Sequence, residues 1–403
     1  MTDFFQNGAI ATLHNLTNRS TESLEEELNK WSKERPMSLI LPCLYSELQG
    51  PALDNIINEL CSATYISEII IGLDAANKEE FEHAKEFFSR LPQHHVILWN
   101  DGPRLRQIDE SIHEHSLAPV EAGKGRNVWY CLGYFLASGK SKAVALHDCD
   151  VVTYDRGIPA KLLYPIIHPT FDYVFCKGYY YRAHEGQFSG RVARLLVPAL
   201  LTALKQCLKP HDYLEFLGSF RYVLAGEFSM RSGVVSSLRI PSNWGIEIGI
   251  LSEMYRRYSN QRICQVDIAD RYDHKHQKLS EDDPTGGLSK MSIDISKILF
   301  RKLATHGITI TPEQFRTIKA LYYRRALDLI DNYSNDAAMN EQYVDRHKEE
   351  STVELFAQNI MSAGDQFLSN PMETPFMPTW SRVASAIPNI HKQLFEAVEL
   401  DNN

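Results

Sequence analysis

The chain has 403 residues, 44% hydrophobic and 23% charged, with a formal net charge of −9. That length holds one large domain or two ordinary ones around a real core, and the acidic balance excludes a general nucleic-acid binder, which needs a basic surface. Seven scattered cysteines without a Cys-x-x-Cys pair fit reduced thiols in a cytoplasmic protein, the start of the chain lacks the pattern of a signal peptide, and no run approaches the ~18 apolar residues of a membrane span.

Residues 1–36 are polar and mixed, with a capped surface helix from Ser20 to Leu28, so a helical N-terminal extension is expected there. Met37-Ser38-Leu39-Ile40-Leu41-Pro42-Cys43-Leu44 reads as a buried strand. Pro51 to Cys61 has helical periodicity, and Glu68 to Asp74 is a second apolar strand that ends on an acid. A charged helix from Lys78 to Arg90 and a strand from His95 to Trp99 follow. Gly123 to Ser138 reads as a helix opened by Gly-Lys-Gly. Lys142 to Leu146 is a short apolar strand running straight into His147-Asp148-Cys149-Asp150. Strands alternating with helices predict parallel βαβ units, whose ligands sit at the carboxyl ends of the strands. Leu44 to Glu47, Asp74, Lys124, Asp148 and Asp150 all fall there or at the helix start that follows.

The second half continues the pattern, with a strand from Asp172 to Lys177 and a helix from Gly190 to Leu208. Asn243 to Leu251 begins another helix, and Arg262 to Ile268 is a strand followed by a polar loop that carries His274 and His276. From about residue 285 the apolar strands stop. Thr311-Pro312-Glu313-Gln314 is a strong helix start, with Thr as N-cap, Pro at the first helical position and Gln at the third. The expected division is therefore 1–36, an α/β domain over 37–285 and a helical region over 286–403. The α/β domain divides into halves at 37–152 and 153–285.

The Asp-x-Asp pair carries the most chemistry. An unpaired buried carboxylate is costly, and hard cations such as Mg²⁺ or Mn²⁺ take oxygen ligands, leaving room for phosphates. Asp148 and Asp150 can thus hold a metal against a diphosphate; the alternative is a solvated strand-to-loop corner. Gly123-Lys124-Gly125 offers a helix N-terminus and a point charge to an anion, or else a turn with a solvated lysine; it lacks P-loop spacing. His274 or His276 could add a metal ligand. Glu247 could orient a sugar hydroxyl or act in acid–base chemistry, or simply compensate a helix terminus, and Glu227 carries the same two readings. Arg191 could bind an anionic acceptor or be an ordinary exposed arginine.

Taken in order, these stretches resemble GT-A fold glycosyltransferases, most closely the retaining glucosyl-3-phosphoglycerate synthase family with its mannosylglycerate-forming relatives. The likeness spans roughly residues 36 to 285. It rests on Pro42 and Glu47, Asp74, Gly123-Lys124-Gly125, Asp148-Cys149-Asp150, Leu224-Ala225-Gly226-Glu227, Trp244 to Gly249 and His274. It implies a Rossmann-like, mostly parallel sheet flanked by helices, with a helical C-terminal appendage. It implies that Pro42, Leu44, Glu47 and Asp74 hold the uridine part of an NDP-sugar, with Gly123, Lys124 and Asp148 beside the nucleotide, ribose and phosphates. Asp148, Asp150 and His274 would meet the Mg²⁺ or Mn²⁺. Gly190 and Arg191 match the family's phosphate-binding turn for 3-phosphoglycerate, Glu247 its acid near the sugar, and the Leu224 carbonyl the group that orients the acceptor hydroxyl. Catalytic weight would then fall on Glu247, Leu224 and Asp150. Ala193 stands where the phosphate turn has a hydroxyl residue, and Tyr272 and His276 where Arg and Asn usually flank the late histidine. Both departures bear on the acceptor, and His276 is placed on that side.

The reading is a metal-dependent hexosyltransferase, retaining, that moves glucose from UDP-glucose to a small anion such as 3-phosphoglycerate or glycerate. A cytoplasmic homodimer with no membrane span and no nucleic-acid partner is expected. The competing readings are a GT-A enzyme with GDP-mannose or another acceptor, an inverting transferase with Glu247 as base, a sugar nucleotidyltransferase and a non-catalytic NDP-sugar binder. A nucleotidyltransferase should carry a glycine-rich loop after its first strand, and Leu41 to Glu47 has none.

Overall fold

The computed structural model describes residues 6, 8–17, 19–119, 123–184, 187–270, 272–273, 287–372 and 376–403. Its first run comprises β1 (Ala11–Leu13), α1 (Thr21–Ser32), β2 (Met37–Leu44), α2 (Pro51–Leu60), β3 (Ile66–Asp74), α3 (Lys78–Phe88), β4 (His94–Trp99), α4 (Pro103–Glu114), α5 (Lys124–Ser138) and β5 (Ala143–Leu146). Next come α6 (Gly157–Ile167), β6 (Phe175–Tyr180), a small hairpin of β7 (Ala183–His184) and β8 (Gln187–Phe188), α7 (Val197–Cys207) and α8 (Asp212–Gly218). β9 (Phe228–Arg231), α9 (Ser232–Val235), α10 (Ile246–Arg257) and β10 (Ile263–Ala269) complete the α/β part. Helices α11 (Gly287–Thr305), α12 (Pro312–Met339), α13 (Arg346–Ser369), α14 (Trp380–Ala386) and α15 (Ile390–Asn402) follow.

Eight strands make one sheet in the order β1-β10-β6-β9-β5-β2-β3-β4. Its pairings are parallel except those of β9, which runs antiparallel between β5 and β6. The strands are apolar on both faces because helices cover both. In β2, Ile40 enters one core while Leu39 and Leu41 enter the other. This is the helix-flanked, mostly parallel sheet that the alternating pattern predicts, with a helical C-terminal region.

Register decides what meets at the carboxyl edge. Leu44 pairs with Asp74, and Ile40 with Leu146, so the ends of β2, β3 and β5 are brought to one edge. Leu146 also pairs with Phe228, at the start of β9. Because β9 runs the other way, the residue before it, Glu227, arrives at that same edge.

Two elements differ from expectation. The N-terminal segment is not only helical: β1 joins the sheet beside β10, too short and too polar at its flanks to show a period. β9, four residues long, is likewise too short to show a period. The helix start at Thr311 holds as read, with a capping box: Gln314 N donates to Thr311 Oγ1 at 3.3 Å and Thr311 N to Gln314 Oε1 at 2.8 Å.

The tail folds back onto the sheet half. Trp380 stacks on Trp129 of α5 at 4.2 Å between ring centroids, and its Nε1 donates to the Trp129 carbonyl at 2.8 Å. Asn402 exchanges two 2.9 Å hydrogen bonds with the backbone of Ile97 on the edge strand β4, as a further strand would.

Candidate active site

The carboxyl edge gathers charge from several elements. α5 begins against the 241–242 segment, so tightly that a Cβ on Gly125 would lie 2.1 Å from the Pro241 carbonyl oxygen. This seats Lys124 over the end of β5. A lysine in the first turn of a helix opposes the macrodipole, and here carboxylates compensate. Lys124 Nζ lies 2.6 Å from Asp148 Oδ1 and 3.5 Å from Glu247 Oε1 on α10. Burial alone would lower the Lys124 ammonium, but Asp148 and Glu247 outweigh it and the net shift is upward. Burial pushes Glu247 up against the opposing pull of Lys124 and Lys177.

Asp150 follows Asp148 on the same loop. Burial, then the charge of Asp148, push its carboxyl up to about 7, with Glu47 and Glu227 adding and Lys124 opposing. Glu227 is fully buried and clamped by two phenols. Tyr180 donates to its Oε2 at 2.7 Å, Tyr272 donates to its Oε1, and the two rings stack with centroids 3.6 Å apart. Lys177, buried on β6, donates to the Ala225 carbonyl at 2.5 Å and so holds the Leu224–Glu227 loop. Burial lowers its ammonium to about 8, against the charges of Glu247 and Glu227.

The remaining expected residues fall into groups. Pro42 lies in β2 opposite Gly72, Leu44 is exposed just beyond it, and Glu47 sits in the 3-10 turn Tyr45–Gln49. Asp74 accepts from Asn100 Nδ2 at 2.7 Å; burial raises its carboxyl, and hydrogen bonds from Asn100 and Asn127 oppose this. Gly123 caps α5, and Leu224 is half-buried on the loop that Lys177 holds. Gly190, at φ 74°, and Arg191 open the α7 stretch; Arg191 pairs with Glu349 of α13 and not with the Asp148 cluster. His274 and His276 lie outside the described residues. The chain that leads to them is fixed beside Asp150: Val152 N donates to the Asp273 carbonyl at 2.8 Å, and Asp273 N donates to Thr153 Oγ1 at 2.9 Å. Among the described residues no three His, Cys, Asp or Glu side chains form a ready metal cluster.

Lys177, Arg194 and Glu349 were not singled out from the sequence. In the sequence Lys177 closes the apolar run that begins at Asp172, the same kind of signal that marked Asp148, although the strand itself continues to Tyr180. Glu349 lies in a charged stretch, Arg346 to Glu350, and gave none.

No family model matches the chain. It is 43% identical over 403 residues to a glucosyl-3-phosphoglycerate synthase of Persephonella marina, covering 100% of both chains. It is 39% identical over 404 residues to one of Methanococcoides burtonii, covering 99% of this chain and 98% of that one. Among solved structures, a glucosyl-3-phosphoglycerate synthase of Mycobacterium tuberculosis was crystallised with Mn²⁺, UDP-glucose and phosphoglyceric acid. It shares the fold at TM-score 0.55 and 21% identity, over 76% of this chain and 90% of that one. A mannosyl-3-phosphoglycerate synthase of Rubrobacter xylanophilus does so at TM-score 0.53 and 19% identity, over 71% and 80%.

Proposed function

The chain belongs to the glucosyl-3-phosphoglycerate synthase family of glycosyltransferases, and from that premise we propose that it moves glucose from UDP-glucose to 3-phosphoglycerate, with retention and with a divalent metal. The observation that carries this reading is the Lys124–Asp148–Glu247 network at the carboxyl edge, beside Asp150. Asp148 and Asp150 offer hard oxygen donors, and burial, with the charge of Asp148 beside it, raises Asp150 to about 7, a cost that a cation would relieve. They would hold Mg²⁺ or Mn²⁺, with His274 as the expected third ligand. When bound, the metal supplies charge stabilisation to the leaving diphosphate.

The protein's own groups account for the rest. Lys124, at the amino end of α5, adds positive charge where the diphosphate gathers negative charge. Pro42, Leu44, Glu47 and Asp74 line the uridine side. Glu247, buried and tied to Lys124, is suited to hold sugar hydroxyls. The Leu224 carbonyl accepts the hydrogen bond of the acceptor hydroxyl and aims it at the anomeric carbon. The acceptor oxygen–carbon bond forms as the carbon–diphosphate oxygen bond breaks, on the same face. The hydroxyl proton passes to the leaving diphosphate, which departs as UDP. Arg191, with Gly190, takes the charged end of the acceptor. The family's relatives supply the donor and acceptor classes; the free thiols of all seven cysteines support a reducing compartment.

A transfer assay tests this. UDP-glucose and GDP-mannose are supplied separately with Mg²⁺ or Mn²⁺, with and without 3-phosphoglycerate or glycerate, and released nucleoside diphosphate and product anomer are read. UDP release that requires 3-phosphoglycerate, with an α-linked product, is expected. Release that ignores 3-phosphoglycerate would discard the acceptor, and a β-linked product would move Glu247 to the role of base.

A further inference from the structure

Arg191 and Arg194 stand three residues apart on one face of the α7 stretch, whose first turn, Val192–Leu196, is a π-helical turn of the kind found at functional sites. Their common partner comes from the far end of the chain. Glu349, in the first turn of α13, accepts at Oε1 from Arg191 Nε at 3.1 Å and from Arg194 Nη2 at 3.1 Å. Its Oε2 lies 3.0 Å from the same Arg194 Nη2. Glu349 is only 4% exposed. A carboxylate this deep persists because it is paired, yet two guanidiniums on one carboxylate leave a positive charge over.

The two arginines are held differently. Arg194 is fixed on several sides: Nε donates to the Ser189 carbonyl at 2.8 Å, and the guanidinium lies over the Tyr333 ring at 4.8 Å. Its Nη1 is buried with no hydrogen-bond partner among the described residues, a donor still unsatisfied. Arg191 has one polar contact among the described residues, Nε on Glu349. That contact fixes the plane of its guanidinium and leaves both terminal amino groups unspent. A planar fork with its stem-side nitrogen anchored suits a phosphate or carboxylate taken bidentately.

We propose that Glu349 is a positioning residue for the anionic acceptor. It sets the plane of Arg191 and the charge balance of the Arg191–Arg194 pair, and thereby makes α13 part of the acceptor site. The proposal rests on the reading of Arg191 as an acceptor-binding residue. It also gives the helical C-terminal region work at the site beyond covering it.

The test is steady-state kinetics on the full chain, varying 3-phosphoglycerate at saturating UDP-glucose and Mg²⁺. The variants are Glu349→Ala, Glu349→Gln, Arg191→Ala and the Glu349→Ala/Arg191→Ala double. Glu349→Ala is expected to raise the acceptor KM about tenfold, the scale of one charge-assisted hydrogen bond, with kcat and donor KM little changed. Glu349→Gln should raise it less, because an amide oxygen still accepts from Arg191 Nε. In the Arg191→Ala background, removing Glu349 should add nothing, because its effect passes through Arg191. Thermal melts separate unfolding from positioning, and the near-isosteric Gln variant serves if the Ala variant fails to fold. An unchanged acceptor KM in a folded variant, additive effects in the double, or a lower KM, which would mean that Glu349 competes with the acceptor, each overturns the proposal. Wild-type turnover that depends on 3-phosphoglycerate upholds the proposed function whatever Glu349 does; wild type indifferent to it removes both.

Discussion

Two glycines at the site separate function from folding. A Cβ on Gly226 would lie 2.7 Å from Asp148 Oδ2 and 2.9 Å from Lys124 Nζ, the ends of side chains that can move. Moving them breaks the pair that the site is built on. Gly226→Ala is therefore expected to lower kcat/KM by about tenfold or more while the urea midpoint hardly changes, since losing one charge-assisted contact is of that order. The Cβ of Gly125→Ala would instead meet the backbone oxygen of Pro241, which cannot swing away. That substitution should cost about 1–3 kcal/mol of stability, read by urea unfolding. Equal loss of stability in both variants would sink the distinction. Asp150→Asn keeps the shape and removes the charge, so metal-dependent turnover should vanish; full activity would end the assignment of Asp150 to the metal.

At the scale of elements, the loop Leu224–Glu227 depends on β6 through Lys177. Its ammonium faces the Ala225 carbonyl and Glu227 on the loop, Glu247 on α10, Lys124 on α5 and Asp148 after β5. With burial lowering it to about 8, the charged form is lost above that pH. Turnover is expected to fall above about pH 8 as the charge that holds Ala225 goes, and Lys177→Met should remove this limb and lower activity at all pH values. Stability should move the other way. Between about 8 and the ordinary value of 10.5 the unfolded chain binds more protons, so this group's contribution to stability rises with pH. An activity loss tracking a falling urea midpoint would mean unfolding instead. The sequence made part of this legible and hid the rest for physical reasons. The strands ending at Leu44, Asp74 and Leu146 announced the carboxyl edge because buried parallel strands are continuous apolar runs. Glu227 could be noticed but not placed, since its arrival depends on β9, four residues whose antiparallel course no period records. Arg191 was visible as a charge at a helix start, whereas Glu349 comes from more than 150 residues away.

For the whole molecule, helical spacing and the capping box revealed α12, but where the tail would pack was not legible, because a helix face does not name its partner. The structure answers with α5 and β4. Trp380 is almost fully buried on Trp129, packed so closely that a Cβ on Gly133 of α5 would lie 2.1 Å from the Trp380 ring. Trp129 Nε1 donates to the Pro378 carbonyl at 2.9 Å, and Tyr134 OH to Glu399 Oε1 at 2.6 Å. These contacts join the last helices to α5, the helix that begins with Lys124. Tail and carboxyl edge should therefore unfold as one unit. Trp380→Ala is expected to cost about 3–5 kcal/mol, the scale for emptying a buried aromatic site, and to lower the midpoint of a single cooperative urea transition. Deleting residues 380–403 would also uncover the Ile97 backbone on the edge strand and the Trp129 ring together, which should produce aggregation. A truncated chain that melts like the full one and still binds UDP-glucose would show the tail to be dispensable. A second, earlier transition in Trp380→Ala would show that it folds apart from the sheet.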